Sequence, residues 1–221
     1  MRILAFSDTH GRLPNLDPTG IDRLMIAGNI RPPGLRSFAE ENHWLENFFF
    51  HWLEALGLPT YWVLGEHDDF TDLYPFTCYE SMYEVVRLPS NLTYDVGDVF
   101  DDVLLFSGYP PLASQSSEDE DYEGTEDYLR FLTDECQENS PEIWLTHCPP
   151  WGVCDGPAGQ KPYAGSRVIL EAIKIKQPRL VICGRIPNGA GLGRIGRTEV
   201  YNVSIQDQEG PWMGKPVIIE I

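Results

Sequence analysis

Short apolar runs recur along the chain at residues 2–6, 23–27, 60–64, 103–107, 142–145, 179–183, 199–203 and 216–221. Each is brief, and most are rich in Ile, Leu and Val, so they predict buried strands. Three stretches between them carry a helical spacing: residues 35–56, 122–138 and 165–175. In the first, Phe38, Leu45, Phe48, Phe49, Trp52, Leu53 and Leu56 recur at three- and four-residue intervals. That spacing draws one apolar face along a helix, which Gly57 and Pro59 then close. Strands alternating with helices predict an α/β fold with buried sheets. The second half has shorter strands and fewer helices, which predicts a second sheet there.

Polar residues fall in a regular place, just after the strands. The first run ends in Ser7-Asp8-Thr9-His10-Gly11, the second in Ala27-Gly28-Asn29 and the third in Leu64-Gly65-Glu66-His67-Asp68. Later runs end in Thr146-His147-Cys148-Pro149-Pro150 and Cys183-Gly184-Arg185. Open α/β sheets build their sites at the carboxyl ends of strands. Asp8 and His10 stand two apart on an extended segment, which turns an oxygen and an imidazole to the same side. Such donors suit Mn, Fe, Zn or Ni. Two such ions about 3.5–4 Å apart, bridged by a carboxylate, activate water against a phosphodiester. Taken alone, Asp8 and His10 read equally well as a turn aspartate and a surface histidine. Five ligand-capable strand ends in order predict a site.

Composition narrows the partners. The 221 residues are 42% hydrophobic and 12% aromatic, enough for one globular domain over residues 1–221. Lys and Arg number 16 against 34 Asp and Glu, a net charge of −18. So acidic a surface repels phosphate backbones and anionic lipid, which argues against nucleic-acid polymers and membrane surfaces as partners. A small phosphate ester, another anion or a protein partner stays open. No apolar run is long enough to span a membrane. Residues 114–127 hold seven acidic residues and no basic one, and predict a solvated loop or insertion. Five cysteines without a CxxC pair and the short apolar N-terminal run predict reduced thiols and a cytoplasmic protein. The glycine-rich stretch 189–194 fails the dinucleotide pattern, because Arg194 stands at its third glycine position and no helix follows. His43 and His51 read as packing on the aromatic helix. Trp151 reads as lining the site mouth, chiefly by apolar packing. Lys161, Arg167 and Lys174 read as solvent-facing.

With these motifs the sequence resembles the calcineurin-like metallophosphoesterases, whose pattern is D-x-H, G-D, G-N-H-[DE], a lone His and G-H-x-H. The likeness runs over nearly the whole chain and is nearest the small MPPED-type branch, through 7–12, 146–156, 177–184 and 199–204. It implies an α/β sandwich of two mixed sheets flanked by helices, with hydrolysis of phosphodiesters or phosphomonoesters at two metals. It further implies metal ligands at Asp8, His10 and His147, a general acid at His67 and an orienting acid at Asp68. Four positions depart from the pattern. The bridging Asp is Asn29, the metal-binding Asn is Glu66, and the last two histidines are Arg185 and Pro187. A neutral amide bridges cations poorly, and a guanidinium offers donors only. Glu66 restores a negative charge and is able to bridge in the Asp's place. Arg185 instead suits an anion, or replaces a metal by pairing with Glu66 or Asp8. The expected outcome is a degraded centre with weak or lost activity. An active, rearranged one- or two-metal site held by Asp8, His10, Asn29, Glu66 and His147 is the alternative. The retromer subunit, which resembles a scaffold built on this fold, likewise carries G-N at the second motif.

Overall fold

The computed structural model describes residues 1–68, 89–94, 98–100, 102–106, 133, 141–157, 164–205 and 214–221. Among them eleven strands form two sheets. The first sheet contains β1 (Arg2–Phe6), β2 (Arg23–Ile26), β3 (Thr60–Trp62), β4 (Leu92–Tyr94) and β11 (Val217–Glu220), in the order β11-β1-β2-β3-β4. All its pairs are parallel except β11 with β1. The second sheet contains β5 (Asp98–Phe100), β6 (Val103–Phe106), β7 (Ile143–Thr146), β8 (Leu180–Cys183), β9 (Gly191–Ile195) and β10 (Thr198–Asn202). Its order is β5-β6-β7-β8-β10-β9, with a parallel centre and antiparallel edges. These are the two mixed sheets that the resemblance implies, and the second holds the strands of the second half except β11.

Period-2 alternation assigns the faces. From β1, Ile3 and Ala5 enter the seam between the sheets, where Val103, Leu105, Ile143, Leu145, Leu180 and Ile182 meet them. Leu4 and Phe6 face the other way, onto a helical layer. That layer is α1 (Phe38–Trp44), a π-helical stretch (Leu45–Phe50) and α2 (His51–Leu56), run end to end. Ser37 caps its start by accepting from the Glu40 N–H at 3.3 Å, so the helix begins later than residue 35. Gly57, in the left-handed conformation, ends it. Phe49 is fully buried, with its ring edge-on to Trp62 at 5.1 Å and stacked near Trp52 at 6.2 Å. On the outer face of the second sheet, α3 (Arg167–Lys176) packs Ile169, Ala172 and Ile173 onto Trp144, Val181 and Cys183.

Three strands escape the apolar pattern: β4, β5 and β9. The last is the glycine-rich stretch that ends at Arg194. Gly193 lies directly under the Val153–Cys154 loop, where a Cβ would come within 2.5 Å of Val153 Cγ1. Glycine there serves a close crossing over an edge strand. The helix predicted over 122–138 and the acidic stretch 114–127 lie outside the described residues, Thr133 excepted. Among the described residues no helix is long and apolar enough to cross a membrane.

Phe49→Ala removes the ring at the centre of the helical layer and should cost about 3–5 kcal/mol. Urea denaturation of the two proteins measures it.

Candidate functional site

The carboxyl ends of β1, β2 and β3 meet those of β7 and β8 along one crevice. Backbone hydrogen bonds lock the two sheets together there. Ser7 N–H donates to Val203 O at 3.0 Å, and Ile205 N–H donates back to Ser7 O at 3.2 Å. Asp8, His10, Asn29, Glu66, His67, Asp68, His147 and Arg185 all fall in this crevice, joined by one continuous set of contacts. Asp8 Oδ1 accepts from the Asn29 amide at 2.9 Å, and Oδ2 accepts from Ser7 Oγ at 2.5 Å and the Arg185 N–H at 2.8 Å. His10 N–H donates to Asn29 O at 3.0 Å, and its ring stands edge-on to His67 at 5.7 Å. Burial holds the His10 imidazole below its ordinary pKa.

Four of these residues have left-handed backbone: Asp8 (φ 59°), His10 (46°), Asn29 (57°) and Arg185 (71°). Asp, Asn and His are found there more often than other side chains, but Arg gains nothing local from it. Such positions cost about 1–3 kcal/mol each and persist where surrounding contacts over-determine them. Gly28 (φ 89°) makes room for His147, because a Cβ on it would lie 2.6 Å from His147 Nδ1.

Asp68 is the most constrained group. Its Oδ1 accepts from the N–H groups of Ile30 and Arg31, both at 2.8 Å. Its Oδ2 accepts from Asn29 at 2.6 Å and Gly65 at 3.0 Å. Burial pushes this carboxyl above its ordinary pKa, and the Gly65, Arg31 and Asn29 donors pull against that rise. The resemblance assigns Asp68 to orienting His67. Here both its oxygens serve backbone donors, and it is Asn29 Oδ1 that accepts the His67 N–H, at 3.0 Å.

A fully buried His147 places Nδ1 2.5 Å from Ala27 O and Nε2 2.5 Å from Glu66 Oε2. Burial alone would depress its pKa. The Glu66 hydrogen bond and the Asp8 charge outweigh that, and the value stands above the ordinary one. Glu66 Oε1 also meets Arg185 Nε at 3.5 Å. The guanidinium reaches Ala164 O at 3.2 Å and Cys148 Sγ at 3.6 Å through Nη1. Arg185 therefore touches Glu66 with its side chain and Asp8 with its backbone.

Residues 1–184 match the family model described as calcineurin-like phosphoesterase. The chain belongs to that family. A comparison with curated proteins finds no match. Among solved structures, one crystal structure aligns with TM-score 0.61 and 22% identity over 91% of this chain and 89% of its own. TT1561 of Thermus thermophilus aligns with TM-score 0.54 and 17% identity, over 91% of this chain and 88% of its own. GAP50, described as the anchor in the inner membrane complex of Plasmodium, aligns with TM-score 0.54 and 12% identity, over 98% and 76%. At these identities the structures share the fold.

In this arrangement the residues at the family's metal-ligand positions are engaged with one another. The His67 N–H is a donor, so the Asn29 amide oxygen must face it and the amide NH₂ must face Asp8. A bridging position thus presents a donor to the carboxylate. Asp8 already takes three donors, and Glu66 is shared between His147 and Arg185. Among the described residues no group of three or more His, Cys, Asp or Glu is arranged to hold a metal ion.

The sequence reading overlooked Ser7 and the Ala27 and Ala164 carbonyls. Ser7 was readable from its place beside Asp8, whereas a carbonyl leaves no mark in a sequence. Arg167, read as solvent-facing, is exposed but lies over the Trp151 ring at 4.5 Å. Trp151 thus carries a cation on its face. His43 and His51 are exposed on the helical layer and take no part in the site.

Asp68→Ala strands the four N–H groups that the carboxylate gathers and should cost at least about 3 kcal/mol. Asp68→Asn, which keeps one acceptor, should cost less; chemical denaturation ranks the two. In metal-stripped protein, the His147–Glu66 pair raises the folded pKa of His147. Its stabilisation is therefore full below the free imidazole value of 6.5 and lost as pH rises through the folded value. The stability gap between wild type and Glu66→Gln should shrink accordingly as pH rises, as Tm against pH measures.

Proposed function

We propose that this phosphoesterase-family protein has a degraded dinuclear site whose hydrolysis of phosphodiesters or phosphomonoesters is weak or lost. One observation carries the reading: the Arg185 guanidinium stands 3.5 Å from Glu66 while the Arg185 backbone N–H occupies Asp8. A cation built into the chain competes with a divalent ion for the same carboxylates. Asn29, in the place of a bridging Asp, donates where an anion is needed. On this reading the crevice serves binding, of a small phosphate ester or other anion at Arg185, or of a protein partner. GAP50 gives the fold a member described as an anchor. Free thiols at Cys148, Cys154 and Cys183 support a reducing, cytoplasmic setting.

A second reading draws on His147. With Nδ1 on Ala27 O, its Nε2 faces the crevice, the orientation of a metal-bound imidazole. Glu66 would then stand in for the bridging Asp, beside Asp8, His10 and Asn29, around Mn, Fe, Zn or Ni. His67 would be the proton donor to the leaving oxygen.

Metal analysis with a Mn²⁺-supplemented assay on bis-p-nitrophenyl phosphate separates the two. Low metal content and negligible turnover are expected. The fourfold change Asn29→Asp, Glu66→Asn, Arg185→His and Pro187→His should raise the bound metal. Two ions per wild-type chain, with turnover abolished by Asp8→Ala or His67→Ala, would overturn the degraded reading.

A further inference from the structure

A second cavity lies at the opposite pole of the second sheet. β7 and β8 lead into the crevice at their carboxyl ends, through His147 and Arg185. At their other ends Glu142 and Arg179 border a cavity of about 420 Å³. Lys176, the last residue of α3, and Arg197, in the turn between β9 and β10, border it too. Among the described residues, three cationic residues from two parts of the chain thus border one space in a protein of net charge −18. Among the described residues none of the three makes an ion pair.

The simplest account of basic residues at a helix C-terminus is that they offset its exposed carbonyls. It fits Lys174 and Lys176 but not Arg179 or Arg197, which belong to other elements. Moreover, Gln177 does that work itself. Its side-chain amide donates to Ile173 O at 2.9 Å and Lys174 O at 3.5 Å. Gln177 also fixes Arg197: its Oε1 accepts the Arg197 N–H at 2.9 Å and its carbonyl accepts Arg197 Nε at 3.0 Å. The terminal nitrogens of that guanidinium are left for another partner.

We propose that this cavity binds a small organic phosphate monoester. Among the described lining residues, three cations against the one carboxylate of Glu142 match the double negative charge of a monoester phosphate near neutral pH. Guanidinium forks suit a tetrahedral oxyanion. The volume lies in the range of small-ligand pockets, with room for an organic part beside the phosphate. Glu142 accepts from a hydroxyl or amine on the ligand and repels a second phosphate. The inference uses none of the crevice residues and does not depend on whether the crevice is active.

Calorimetric titration of the full chain in metal-free buffer, with a nucleoside 5′-monophosphate, inorganic phosphate and succinate, tests it. In an Arg185→Gln background, which removes the crevice's own anion group, one saturable monophosphate site per chain is expected, with phosphate weaker and succinate weakest. Replacing Lys176 and Arg179 together by Glu should weaken monophosphate binding about ten-fold or more. Arg179→Gln, at an exposed position, should shift it in the same direction without threatening the fold. Undiminished binding when the Lys176 and Arg179 changes are added to that background, tighter binding of succinate, or no saturable binding of either phosphate probe would each overturn the proposal.

Discussion

The crevice depends on one carboxylate. Asp68 takes backbone N–H groups from the turn after β2 and from the turn after β3, and so ties two neighbouring loops to a single buried point. Without that anion, four amide hydrogens would face each other in a region sealed from water. With it, the chain after β2 is held in the conformation that presents Asn29 to Asp8 and to His67. The side chains at the surface of the crevice are arranged by a group whose own oxygens are spent on backbone N–H groups.

A second constraint acts across the sheets. Ser7 donates to Val203 O and accepts from the Ile205 N–H between the two layers, and within the second sheet Gly184 N–H donates to His147 O. Parallel strands from both sheets therefore end at one level. That level brings Asp8 within reach of Arg185, although 177 residues separate them. Glu66 and His147, 81 residues apart, meet for the same reason. The clustering is thus a property of the topology. The identity of each side chain then decides whether the cluster attracts a cation or satisfies itself.

Much of this was legible in the sequence. Eight apolar runs became strands within two residues of their predicted limits, because each is a compact apolar stretch with a turn residue after it. The strand-end motifs were legible because their order along the chain matches the order in which the strands reach the crevice. What escaped had physical causes. β9 is glycine-rich, so it lacks the apolar signature, and its strand character comes from the β10 partner and the loop crossing over it. The π-helical stretch within the aromatic helix leaves no trace in spacing that is already mixed. The four backbone N–H groups that Asp68 gathers were invisible, because a carboxylate's backbone partners leave no mark in a string of letters. Left-handed backbone at His10 and Arg185 was invisible, since neither residue type announces it.

That unusual backbone has a consequence for whatever enters the crevice. Four residues twisted out of the common regions leave their neighbourhood few alternative shapes, so the lining is set during folding and hardly adapts to a guest. A visitor would forfeit little freedom in the host on docking, and selectivity would rest on matching a rigid mould. The corollary is intolerance: an occupant of slightly wrong size would find no give in the walls.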